Sequence, residues 1–206
     1  MLPRAGVTPH RGLARFAIIV TTFLLAASGQ AAGPTATGLL GLAQFSRAGG
    51  GYQPLKAGMT LQDGDVIQTA TGSALDLDLG PAAGTVRLLQ STTLALTTVA
   101  PGGVLLELRG GEVVGNPGRQ PLRAKFRIEV SGGIAGIVEG DFRLNARGYL
   151  VVIEGKALMV ESGAGEPKVH HLTGTVYFSP PDSAVRPAPK ELERDVRSQR
   201  KTRLPK

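Results

Sequence analysis

From about Leu39 to Ser179 the chain is a succession of short alternations of apolar and polar residues. Ser73-Ala74-Leu75-Asp76-Leu77-Asp78-Leu79 is the plainest of them. A period of two is that of a strand with one buried and one wet face. Similar runs span Thr93 to Val99, Val104 to Leu108, Lys125 to Val130 and Tyr149 to Ile153. Turn residues separate them: Asp63-Gly64-Asp65, Gly72, Gly80-Pro81, Pro101-Gly102-Gly103, Gly110-Gly111 and Gly132-Gly133. Gly132, Gly140, Gly148, Gly155 and Gly163 then recur at near-constant intervals, which predicts strands of about five residues alternating with turns. The span 39–179 is therefore expected to be all-β: a β-solenoid-like roll of short strands with glycine turns, or alternatively an antiparallel β-sandwich. The inward residues of this pattern are Leu75, Leu77, Leu79, Val86, Leu88, Leu94, Leu96, Leu106, Leu108, Phe126, Ile128, Ile137, Phe142, Val152 and Leu158. Phe126, Phe142 and Tyr149 are read as core rather than as a platform for stacking sugars.

Beyond Ser179 the alternation stops. Residues 180–189 hold four prolines and read as a linker, and 190–206 as a basic tail. Glu193 and Arg197 are spaced to pair on a helix, but only Leu192 and Val196 form an apolar stripe, so the tail is expected to be disordered or weakly helical. On that reading the tail is a tether whose deletion leaves the fold intact.

The amino end has the build of an export signal. Arg4, Arg11 and Arg15 precede the apolar run Phe16 to Ala27, followed by the small residues Ser28, Gly29, Ala31 and Ala32. The run is shorter than the roughly 20 residues of a membrane-spanning helix. Residues 1–31 are expected to be a signal peptide cleaved after Ala31, which implies a periplasmic or secreted protein; the alternative is an inner-membrane signal anchor facing the periplasm.

Composition narrows the chemistry. The 206 residues include no cysteine, no tryptophan and three histidines, so disulfide scaffolds, thiolate metal sites and thiol nucleophiles are excluded. The net charge of +7 invites a nucleic-acid reading until it is located. Of 23 cations and 16 acids, three cations lie in 1–31, and eight cations with three acids lie in 186–206. That leaves 12 cations and 13 acids between residues 32 and 185. A neutral body without aromatic platforms is not expected to bind nucleic acid.

Motifs for catalysis are scarce. Ser198-Gln199-Arg200-Lys201 matches the S-x-x-K pattern of serine acyl enzymes, but its place in the charged tail makes it a chance match. His170 and His171 are adjacent, so in a strand they point to opposite faces and cannot chelate one ion together. Asp76 with Asp78, and Asp63 with Asp65, are carboxylate pairs spaced for Ca²⁺ binding or acid–base work. The simpler reading puts Asp76 and Asp78 on a wet strand face and makes Asp63-Gly64-Asp65 a tight turn. No catalytic, cofactor or metal residue is assigned, and the partner-binding residues are unknown.

Tyr52-Gln53-Pro54-Leu55, Gly58-Met59-Thr60-Leu61, Gly64 to Thr69 and Gly72 to Leu77 follow one another in an order that resembles the FecR domain family, named after the inner-membrane regulator of ferric citrate uptake. The resemblance continues in Leu106 to Val113, Phe126 to Val130, Gly133 to Leu144 and Val151 to Val160, covering roughly residues 39–161. Tyr52 stands where such domains commonly have tryptophan, and Glu139-Gly140-Asp141 where Arg-Gly-Thr is usual. Signalling members place an anti-sigma segment before a membrane helix; only 15 residues precede the apolar run here, so transmembrane signalling is not carried over. The resemblance implies an exported all-β binding module of the cell envelope.

Two functions follow. The first is a non-enzymatic module that binds an envelope protein or polysaccharide through a β surface or strand edge, with membrane-surface contact through the basic tail. The second is a small glycan hydrolase or lyase using a carboxylate pair such as Asp76 and Asp78.

Overall fold

The computed structural model describes residues 33–80, 83–100, 102–118, 125–163 and 165–206; the expected export signal, 1–31, lies outside them. Fourteen strands among the described residues form one curled sheet. They are β1 (Thr35–Leu40), β2 (Ala43–Ser46), β3 (Gln53–Pro54), β4 (Val66–Thr69), β5 (Ala74–Asp78), β6 (Thr85–Leu88) and β7 (Thr93–Ala100). Next come β8 (Gly103–Gly110), β9 (Glu112–Asn116), β10 (Lys125–Val130), β11 (Gly133–Asn145), β12 (Leu150–Glu161), β13 (Lys168–Ser179) and β14 (Ala184–Pro187). The chain ends in the helix α1 (Lys190–Lys201). β8 and β10 pair in parallel. The other ladders are antiparallel, as short glycine turns between successive strands favour.

The inner face of the curl holds the main core. Alternation in β5, β6, β7, β8 and β10 points inward the side chains expected from the sequence, Leu75, Leu77, Val86, Leu88, Leu94, Leu96, Leu106, Leu108, Phe126 and Ile128. Removing each such side chain from water contributes about 1.5–3 kcal/mol. Phe126 and Phe142 meet across this interior with ring centroids 5.7 Å apart. The Phe142 ring lies on Gly115, where an added Cβ would stand 2.7 Å from it, so a glycine in β9 makes room for the phenyl group.

The glycine metre has a different meaning from the one expected. Gly132 and Gly133 turn the chain between β10 and β11, and Gly148 turns it between β11 and β12. Gly140 and Gly155 lie inside strands of 13 and 12 residues. The register shifts around both, and each approaches the other's strand too closely for a Cβ: one on Gly155 would stand 2.1 Å from the Glu139 carbonyl oxygen. Here β11 bends. Its first half pairs with β10 and its second with β9, while β12 follows both halves.

Two expected core residues lie elsewhere: Tyr149, before β12, is 37% exposed, and the bend moves Leu158. Val152 points into the main core, but after the irregularity at Glu154-Gly155 the inward residues are Ala157 and Met159, and Leu158 is only partly buried. One extra residue in a strand exchanges its faces, which periodicity alone does not register.

The carboxyl end departs further from expectation. The supposed linker forms a 3-10 turn, Pro180–Asp182, and β14, which pairs with β13. The supposed tether forms α1, packed on the outside of the sheet. Val196 is fully buried against Val114, Val151 and Ile153, with Leu192 beside it. The molecule is thus locally three-layered: main core, sheet, and helix.

Candidate functional site

Under α1 the sheet presents a row of residues in direct register: Asp76 on β5, Arg87 on β6, Val114 on β9, Arg143 on β11, Val151 on β12 and Tyr177 on β13. These are the outward positions of strands whose alternate residues fill the core. In a two-layer protein they would be wet; the helix makes them an interface.

Two arginines organise it. Arg87 is 5% exposed and holds Asp76 through two bonds, Nε to Oδ1 at 2.6 Å and Nη2 to Oδ2 at 2.8 Å. It also donates to the carbonyl oxygens of Gln199 and Thr202 at the end of α1. Those carbonyls belong to the unsatisfied last turn of a helix, where a cation is favoured. Arg143 holds Glu112 through two bonds of 2.6 Å and donates to Asp195 of α1. Its hydrogen bonds to Glu112 foremost, opposed by burial, hold the guanidinium above its ordinary range. Arg200 donates to Thr85 at 2.9 Å and reaches Asp141, which also accepts from Asn116 at 2.8 Å. Arg197 joins Glu154 at 2.8 Å and Glu193 at 3.0 Å, the second being the pair expected from spacing.

This geometry corrects the reading of the carboxylate pairs. Asp76 and Asp78 do share one face of β5, but Asp76 is partly buried and saturated by Arg87, whereas Asp78 is exposed and accepts the Gly80 N–H at 2.8 Å. Asp63 accepts from the Val99 N–H at 2.9 Å. Asp65 is 0% exposed and accepts from Arg47 at 2.9 and 2.8 Å and from the Gln62 N–H at 2.9 Å. It is therefore an internal anchor as well as a turn residue.

His170 and His171 point apart as expected, one partly buried and one exposed. His170 Nε2 lies 2.7 Å from Glu161, and the Ser183 hydroxyl donates to the other oxygen of the same carboxylate at 3.0 Å. Because both partners meet the carboxylate rather than each other, the trio fastens the Pro180–Asp182 turn and does not activate the serine. Ser198 and Lys201 lie exposed on α1. No group of acids and histidines with metal-holding geometry occurs among the described residues.

Two hollows share part of their lining. One, of about 700 Å³, is lined by residues including Arg109, Ser131, Asn145, Arg147 and Tyr149. The other, of about 310 Å³, shares Asn145 and Tyr149 and reaches Arg143, Tyr177 and Leu192. Arg109 is committed to Glu107 at 2.7 Å, and Asn145 accepts the N–H groups of Arg147 and Tyr149 in its own turn.

A second feature suits binding. The first half of β13, residues 168–173, pairs with β12 on one side, and among the described residues no strand pairs with its other side. Val169, in this half, is 52% exposed.

No family model and no curated protein matches the chain. It is similar to two crystal structures, at 2.50 and 1.65 Å resolution, of a candidate anti-sigma factor from Parabacteroides distasonis ATCC 8503. The TM-score is 0.46 for both, at 17% and 16% identity, over 59% of this chain and 57% of that one. The match thus spans less than two thirds of that protein.

Proposed function

We propose that this chain is an exported, non-enzymatic module of the cell envelope, a β-roll that binds a protein partner by strand addition at β13, with a polysaccharide as the other class of ligand. The open half of β13 carries this reading. An extended segment laid beside residues 168–173 gains main-chain hydrogen bonds from backbone groups already held in strand geometry, and the exposed side chains of that half set its preference. The sequence resemblance to FecR domains supports a binding module, and the signal-like amino end supports export to the periplasm or beyond. The carboxylates a glycan hydrolase would use speak against the alternative. Both oxygens of Asp76 are bonded to the Arg87 guanidinium, which opposes its use as an acid, base or nucleophile.

A charge at an open edge opposes pairing. Val169→Lys is therefore expected to keep the parent melting temperature while losing the partner recovered by the parent protein from an envelope extract. Equal recovery by both proteins would remove β13 from the account. Release of reducing sugar ends from envelope glycan by the parent, abolished in Asp78→Asn, would establish the hydrolase instead.

A further inference from the structure

We propose that the outward face of α1, with Leu40 and Leu42 beside its end, is a docking surface for an anionic lipid bilayer. The proposal rests on the envelope-module reading for location only.

The helix sorts its charges by side. Toward the sheet, Asp195 and Arg200 pair with Arg143 and Asp141, while Arg197, nearer the outer side, is held by Glu154 and Glu193. Lys190, Arg194 and Lys201 are spaced by four and seven residues and so share the opposite side, where all three are exposed. None has an ion-pair partner among the described residues, and the exposed Arg203 and Lys206 continue the basic run. Glu191 is the acid beside them. Because the pairs beneath hold the helix down, these cations form a fixed array rather than a loose tail.

The helix end delivers this charge to an apolar spot. Pro205 accepts a bond from the Leu39 N–H at 2.8 Å, and Leu204 lies against Gly38, where an added Cβ would stand 2.9 Å from its own. Leu40 is the next residue on that side of β1 and is 48% exposed; Leu42, past the Gly41 turn, is 75% exposed. Cations flanking exposed aliphatic residues match a bilayer surface, with lipid phosphates for the first and the acyl boundary for the second. Single-stranded nucleic acid would call for aromatic rings on which bases stack, and the exposed apolar side chains at this spot are leucines. Among the described residues no helix is long and apolar enough to cross a membrane, so α1 is assigned to the surface.

The test uses the full chain sedimented with phosphatidylcholine vesicles, with and without phosphatidylglycerol. Partitioning is expected to be about tenfold or more higher on the anionic vesicles and to fall as salt is raised beyond about 0.15 M. The triple variant Lys190→Glu, Arg194→Glu, Lys201→Glu should lose about tenfold or more of that partitioning with its melting temperature kept. Leu40→Ser with Leu42→Ser should weaken it while preserving the salt dependence. Equal binding to neutral vesicles, or an unaffected triple variant, would overturn the proposal. So would retention on heparin without vesicle binding, which would assign the basic face to a polyanion. None of these results alters the Val169→Lys comparison, so failure here is distinguishable from failure of the module.

Discussion

Arg87 sits in the strand sequence Thr85-Val86-Arg87-Leu88, where alternation assigns it to solvent, yet it is nearly inaccessible and makes four hydrogen bonds. Its neighbours were legible because a period of two separates the two faces of a strand. Its own environment was not, because periodicity does not say whether a second layer covers the outer face. Asp76 shares that history. Asp76→Asn leaves the buried guanidinium without its counter-charge and is expected to cost about 1–3 kcal/mol, whereas Asp78→Asn, exposed and outside the interface, should stay within about 0.5 kcal/mol. Urea titrations of the two variants measure this difference, and equal midpoints would contradict the layer. Phe142→Ala removes a fully buried ring seated on Gly115 and should cost about 3–5 kcal/mol by the same measurement.

Among the elements, the strands with clean alternation were read correctly, and the two long ones were not. Gly140 and Gly155 look in sequence like turn glycines, because a glycine that permits a bend and one that permits a turn are the same residue. What separates them is the contact between β11 and β12 backbones, a relation between positions 15 apart. Gly155→Ala is expected to destabilise by more than the roughly 0.5–1 kcal/mol that usually separates glycine from alanine, since its methyl group would meet the Glu139 carbonyl. A circular dichroism melt equal to the parent's would show that the strands can part at no cost. The helix was hidden for a related reason. Leu192 and Val196 are a narrow stripe, too little to hold a free helix, but enough when Val114, Val151 and Ile153 meet it and two arginines secure its flank and end. Truncation after residue 189 uncovers that patch and removes the bonds of Arg87 and Arg143 to the helix. The melting temperature is expected to fall by about 8 °C or more, where a detached tail would leave it unchanged.

At the scale of the whole molecule, a curled, mostly β structure follows from short alternating strands and glycine turns. What the fold adds is an order of surfaces: an interior core, an outer row bound by a helix, a basic face on that helix, and an open edge at β13. α1 is a structural layer of the protein, since both the burial of Arg87 and the fixed basic face depend on it. Amide hydrogen exchange of the full chain, resolved by peptide, tests this most directly. Peptides within 190–201 are expected to exchange as slowly as those of β9 and β11 beneath them, and 168–173 faster than its paired neighbour β12. Exchange of 190–201 at the rate of unstructured chain would contradict the layer.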